Sequence, residues 1–288
     1  MAASPASWRQ WWALTKPRLN FLVVATALAG YAVAPKELPG RSNFWAFTVS
    51  VYILAASSAI LNMWLERDVD ALMKRTQDRP LPAGRLNERS AFWVGQALTL
   101  VALLGLALTT GWITASLGLL TWVSYLLIYT PMKRVSSLAI LAGAVPGALP
   151  PVMGWTAAGG PLDQRALALF LLMFVWQIPH FLAIAALYGD DYENAGLKVL
   201  GRTAGPAAAG RQMLLYAVLM IPVSLWCYRL GLAGPRYALA SVILSAAFAA
   251  FAFRAARTPN RSTARALLLA SVTYLPLLFA AMLADKQG

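Results

Sequence analysis

The sequence predicts an all-α, polytopic membrane protein with about nine transmembrane helices in one bundle. Only 12% of its 288 residues are charged and 59% are hydrophobic, and mean hydropathy is +0.61, a balance outside the range of soluble domains. Apolar runs of about twenty residues recur along the whole chain, each sufficient to cross a hydrocarbon layer of roughly 30 Å. The strands of a membrane barrel would alternate apolar and polar residues over about ten positions, and these runs do not alternate.

Taken in order, Trp8, Trp11 and Trp12 stand beside Arg9 and Lys16, so residues 1–18 read as an interfacial segment rather than a cleavable signal peptide. Spans are then expected near 19–35, 43–64, 90–109, 112–130, 135–155, 166–187, 209–230, 236–254 and 264–284. Pro131 should end the fourth. The fifth carries Gly143, Pro146, Gly147, Pro150, Pro151 and Gly154, which predicts a kinked span lining a pocket, its freed carbonyls satisfied by neighbours. The single cysteine, Cys227, falls inside an apolar span and excludes a disulfide framework. Residues 1–288 show no linker rich in Pro, Gly or Ser and read as one domain.

The net charge of +13 does not signal nucleic-acid binding, because the charge is sorted by membrane side. With nine spans, 18 of the 24 Lys and Arg lie in segments 1–18, 65–89, 131–135, 188–211 and 254–265, all on one face. By the positive-inside rule that face is cytoplasmic. The expectation is a multi-pass protein of the cell inner membrane, with its N-terminus and polar loops inside.

Eight of the eleven acidic residues sit in the two long inner loops, 65–89 and 188–210. Asn62, Glu66 and Asp70 are spaced i, i+4, i+8 and share one helix face. Two carboxylates one turn apart repel unless a cation or proton intervenes, and a polar residue at the end of an apolar span is functional by default. Hard oxygen ligands of this kind suit Mg²⁺ holding a phosphorylated substrate. Asp68 lies off that face by geometry and ranks second. Asp190, Asp191 and Asn194 form a second oxygen-rich cluster on the same side. Arg75, Arg79, Lys133 and Arg134 are placed to neutralise a leaving diphosphate. The plainer alternative is an acidic helix end balanced by ordinary positive-inside cations. His180, the one histidine, is either a satisfied structural residue or a substrate contact. Trp64, Tyr125, Tyr129, Trp155 and Trp176 are candidates to face a carbocation, although most membrane aromatics pack or anchor.

These residues resemble the intramembrane prenyltransferases of the UbiA type. Their first signature, an Asn-x-x-x-Asp-x-x-x-Asp helix end followed by Arg-Thr-x-x-Arg-Pro-Leu, is met by Asn62, Glu66 and Asp70 and then by Arg75, Thr76, Arg79, Pro80 and Leu81. The match is strongest to the branch that farnesylates heme, through the segments 15–18, 129–134, 143–155, 176–181 and 191–196. Glu66 departs from the usual Asp, Asn194 stands in place of a further acid, and 197–200 departs from the expected continuation. The resemblance implies a nine-helix bundle around a cavity open toward the lipid bilayer. It implies transfer of a farnesyl group from farnesyl diphosphate to the 2-vinyl group of heme b, with heme A synthase or terminal oxidase assembly downstream. It further implies that Asn62, Glu66 and Asp70 hold one Mg²⁺ and Asp191 a second, while Lys133 and the arginines bind diphosphate, and Tyr129, Trp176 and His180 contact substrate. A quinone-precursor acceptor is the alternative within the class. A cation-binding transporter would place its acids at mid-membrane, usually within an inverted repeat. Here the two acidic loops are separated by four spans, so their helices run in the same direction.

Overall fold

Each expected span overlaps a helical stretch of the structure, a computed structural model that describes residues 7–35, 43–198 and 200–286. Residues 1–6 of the expected interfacial segment lie outside that description. The helices are α1 (Trp8–Leu14), α2 (Pro17–Val33), α3 (Phe44–Asp70), α4 (Glu88–Thr110) and α5 (Trp112–Val123). A π turn, Ser124–Tyr129, leads into α6 (Thr130–Val135). Then follow α7 (Ala139–Ala157), α8 (Gln164–Asn194), α9 (Leu200–Thr203), α10 (Pro206–Arg229), α11 (Pro235–Arg257) and α12 (Arg261–Ala284).

Eight helical stretches among the described residues are long and apolar enough to cross a membrane, with Trp112–Val135 counted as one. The expectation of nine is therefore approximate. The first expected span is the 17-residue helix Pro17–Val33, about 25 Å long at 1.5 Å per residue and slightly short of a full crossing. Exposed Leu108, Trp112, Phe21 and Leu239 face outward, as lipid-covered positions do.

Neighbouring helices close a ring. Contacts run from α2 through α3, α4, α5, α7, α8, α10 and α11 to α12, and α12 returns to α2. The most buried helix is α7, packed against α2, α5, the π turn and α8. α7 is helical throughout from Ala139 to Ala157, with Pro146, Pro150 and Pro151 inside it. Its glycines let other backbones and side chains approach. A Cβ on Gly154 would lie 1.8 Å from the Ala27 carbonyl oxygen, and one on Gly30 of α2 would lie 1.9 Å from that of Pro151. Gly147 accommodates the Gln177 amide, whose Nε2 donates to the Ala144 carbonyl at 3.3 Å. The Pro- and Gly-rich segment is thus a packing spine, with small residues at helix interfaces as membrane proteins favour.

The fourth span does not stop at Pro131. In the π turn before it, the Thr130 N–H donates to the Tyr125 carbonyl five residues back, and the Thr130 hydroxyl donates to the same oxygen at 2.9 Å. Widening the turn relieves the clash a proline ring imposes on the preceding turn. One further helical segment, α6, follows and carries Lys133 inward.

Candidate active site

At 27 residues, α3 is about 40 Å long, roughly 10 Å more than the hydrocarbon layer. Its last turns therefore project beyond the apolar slab, and there Asn62, Glu66 and Asp70 are 2%, 9% and 1% exposed. Carboxylates this buried need partners; a cation supplies one to each, and a third cation bonds Asn62. Lys133 Nζ donates to Glu66 Oε1 at 2.8 Å. Arg79 Nη1 donates to Asp70 Oδ2 at 2.6 Å. Lys16 Nζ donates to Asn62 Oδ1 at 3.0 Å. Asn62 links the set, since its Nδ2 donates to Glu66 Oε2 at 3.0 Å and to the Thr130 hydroxyl at 3.2 Å.

Local structure explains each placement. Lys16 occupies the left-handed region at φ 47° between α1 and α2, a reversal that turns its side chain onto α3. Burial and the neighbouring Arg79 guanidinium lower its ammonium to about 8. The loop after α3 folds back on itself, with the Thr76 hydroxyl donating to the Asp70 carbonyl at 2.8 Å. Lys133 Nζ lies 4.3 Å from the centre of the Tyr129 ring, and Tyr129 stacks on Tyr125 at 5.9 Å. An aromatic wall therefore flanks the cationic side of the site.

The second acidic segment reaches the same end of the bundle. Tyr188, at φ −122° and ψ 20°, breaks α8, and the turn beyond it meets the loop after α3. Arg75 lies 5.3 Å from the Tyr188 ring and 5.4 Å from the Tyr192 ring, and its Nη2 donates to the Tyr192 hydroxyl at 3.3 Å. Val69, Met73 and Ala195 form a small apolar contact beneath, and the Lys198 N–H donates to the Lys133 carbonyl at 2.9 Å. Asp191 is half-buried and Asp190 exposed. Among the described residues no three acidic, histidine or cysteine side chains gather as a metal cage, so the two acidic segments share an end without merging.

Other expected site residues fall elsewhere. Asp68 is excluded from the Asn62 face: its side chain is 76% exposed and lies 3.9 Å from Arg67, because i+2 points to another side of a helix. Arg134 is exposed and donates to the Leu65 carbonyl at 3.4 Å. His180 and Trp176 stack at 4.9 Å, and both engage Ser271 of α12: His180 Nδ1 and the Ser271 hydroxyl share a 2.8 Å hydrogen bond, and Trp176 Nε1 donates to the Ser271 carbonyl at 2.9 Å. They lie deeper in the bundle, His180 about 16 Å and Trp176 about 22 Å along the helix from Asp191. Trp155 is fully buried and donates to Pro161 at the end of α7 away from the acids. Lys16 and Thr130 are functional candidates that the spacing of the acids did not identify.

The arrangement can bind a phosphate-bearing group. Two carboxylates and an amide on one face are hard oxygen donors, a set whose chemistry fits Mg²⁺. The surrounding Lys16, Arg79 and Lys133 supply charge-assisted donors for the phosphates.

Known proteins are similar to this chain in sequence and in fold. Residues 23–281 match the UbiA prenyltransferase family. Protoheme IX farnesyltransferase of Anaeromyxobacter sp. (strain Fw109-5) is 43% identical over 270 residues, covering 93% of this chain and 90% of that protein. A digeranylgeranylglyceryl phosphate synthase structure superposes with a TM-score of 0.82 at 15% identity, covering 96% of this chain and 97% of the other. A UbiA homologue from Archaeoglobus fulgidus bound to GPP and Mg²⁺ superposes with a TM-score of 0.63 at 18% identity, covering 95% of this chain and 99% of that one. The chain belongs to the UbiA prenyltransferase family.

Proposed function

We propose that this protein transfers a farnesyl group from farnesyl diphosphate to the 2-vinyl group of heme b, giving heme O. The observation that carries the diphosphate half is the buried face of Asn62, Glu66 and Asp70 met by Lys16, Arg79 and Lys133. The acceptor half rests on the relatives of about 40% identity, which are protoheme IX farnesyltransferases along nearly their whole length. The family match over 23–281 supports one catalytic domain in a multi-pass membrane protein. The excess of Lys and Arg in the loops bearing the site supports an inner-membrane protein with those loops and the N-terminus cytoplasmic.

Asn62, Glu66 and Asp70 would hold one Mg²⁺, and Asp191, with Asp190 beside it, a second. Bound there, the ion supplies Lewis-acid neutralisation of the diphosphate oxygens. Lys133 and Arg79 exchange their carboxylate contacts for phosphate oxygens when substrate enters, and Arg75 and Arg134 add charge at the rim. These cations stabilise the diphosphate as the C1–O bond of the farnesyl chain breaks and the bonding pair leaves with oxygen. The Tyr125–Tyr129 pair faces the cationic allyl fragment with its π surface. The vinyl carbon of heme then forms the new C–C bond, and water adds to the benzylic-type cation with loss of a proton. Trp176 and His180, fixed by Ser271, lie deeper in the bundle and are suited to a flat acceptor. The product is a substrate for heme A synthase or terminal oxidase assembly.

The test is direct: membranes containing the protein are incubated with heme b, farnesyl diphosphate and Mg²⁺, and porphyrins are identified by mass. Heme O is expected. Prenylation of another aromatic acceptor with none of heme would overturn the assignment.

A further inference from the structure

A second polar feature lies behind the acidic face. Between α1, the start of α2 and the loop after α3 is an open cleft of about 460 Å³, lined by Arg9, Lys16, Met63, Asp78, Arg79 and Arg85 among others. Four cations face one carboxylate across it. Among the described residues no carboxylate oxygen lies within ion-pair distance of Arg9, Lys16 or Arg85, while Arg79 pairs with Asp70. Arg85 Nη2 donates to the Asp78 backbone carbonyl, which fixes its position at the rim without neutralising it.

The cleft is built rather than incidental. Met63 in its lining belongs to an apolar cluster in which Leu14 of α1 packs with Ile60 and Met63 of α3 and with Leu81, Leu86 and Ala91 beyond. That cluster holds the interfacial helix and the loop in fixed relation. The Ser7 side chain accepts from the Arg9 N–H, and the Gln10 side chain accepts from the Ser7 N–H, setting the start of α1. Exposed Trp8 and Trp12 on the same short helix are suited to the headgroup layer, so the cleft opens where phosphate groups are abundant.

We propose that this cleft binds a phosphate group at the membrane interface, through Arg9 and Arg85 at its mouth and Lys16 and Arg79 at its back. Lys16 and Arg79 also touch Asn62 and Asp70, so the cleft and the acidic face share these two cations. The ligand is either free diphosphate leaving the site or the headgroup of an anionic lipid. Binding here requires no prenyl transfer, so its test stands apart from the assigned reaction.

Two binding arms and two variants decide the matter. In the first arm, inorganic diphosphate is titrated by calorimetry into protein in uncharged detergent with chelator present, so that metal-dependent capture is silent. In the second, protein in nanodiscs of phosphatidylcholine with or without 30% phosphatidylglycerol is released and its retained lipid counted by native mass spectrometry. Arg9→Gln with Arg85→Gln is compared with Arg9→Lys with Arg85→Lys, which keeps the charge. Diphosphate affinity reduced about tenfold or more in the Gln pair and largely retained in the Lys pair establishes the free-anion source. Unchanged diphosphate affinity with phosphatidylglycerol retention lost only in the Gln pair establishes the lipid source. If the Gln pair matches wild type in both arms, or wild type binds neither probe, the proposal is overturned. The Arg9 and Arg85 side chains are exposed, so both variants are expected to fold, with the Lys pair as control.

Discussion

Glu66 illustrates how one methylene sets a site. Where the family pattern has Asp, the longer chain lets Oε1 reach Lys133 while Oε2 accepts from Asn62. Glu66→Asp cannot span both contacts, and we expect kcat/KM for farnesyl diphosphate to fall about tenfold, corresponding to roughly 1.4 kcal/mol of lost charge-assisted bonding. Asp70→Asn keeps the side-chain volume and its neighbour Arg79 but removes the charge. It should lower farnesyl transfer a thousandfold or more while the protein still elutes as a single folded species; near-normal heme O formation by mass would remove Asp70 from the metal site. The i, i+4, i+8 spacing made this face legible in sequence, because helix geometry is local. Lys16 and Thr130 were not legible in the same way: they meet Asn62 across 46 and 68 residues, a separation only tertiary folding closes. Asp68 shows the converse, since its exclusion follows from helical periodicity alone.

At the scale of elements, apolar run length located every span, but backbone exceptions inside the spans were hidden. The proline rule stops the fourth span at Pro131, yet a π turn carries it onward and brings Lys133 to Glu66. Nothing in the composition of 124–129 signals a five-residue hydrogen bond. In α7 the glycines report their purpose only once α2 lies against them. Gly154→Ala and Gly30→Ala would each drive a methyl into a carbonyl oxygen less than 2 Å away, and two backbones cannot both retreat. Each should lower stability by about 1–3 kcal/mol or more, read as an earlier thermal transition in detergent. Gly118→Ala is the contrasting variant, because its methyl would meet only the side-chain ends of Leu106, Leu54 and Met153 at 3.0–3.3 Å. A transition for Gly154→Ala no lower than that of Gly118→Ala would refute the close-packed spine.

The whole molecule is a ring of helices whose first and last members must meet, and polar contacts at the chain's end make that closure specific. The Asp285 carboxylate accepts from the Tyr237 N–H at 2.8 Å, and its backbone carbonyl accepts from the Gly234 N–H at 2.7 Å, capping the start of α11. Lys286 Nζ donates to the Ala32 carbonyl at 3.0 Å and to that of Ala34, at the C-terminal end of α2, where the negative end of its dipole lies. The apolar α12–α2 contact is limited in extent, so these bonds carry a larger share of closure than they would elsewhere in the ring. Lys286→Met keeps the chain length and the aliphatic stem but removes both donors. Bonds to a charged group contribute about 1.5–3 kcal/mol each when well formed, and half-burial reduces that. A fall in melting temperature of roughly 3–6 °C is therefore expected by tryptophan fluorescence, with Lys286→Arg restoring most of it because a guanidinium also donates twice. Since α12 also holds Trp176 and His180 through Ser271, loosening it should weaken acceptor binding more than diphosphate binding. An unchanged melting temperature in Lys286→Met would mean that apolar packing alone closes the ring.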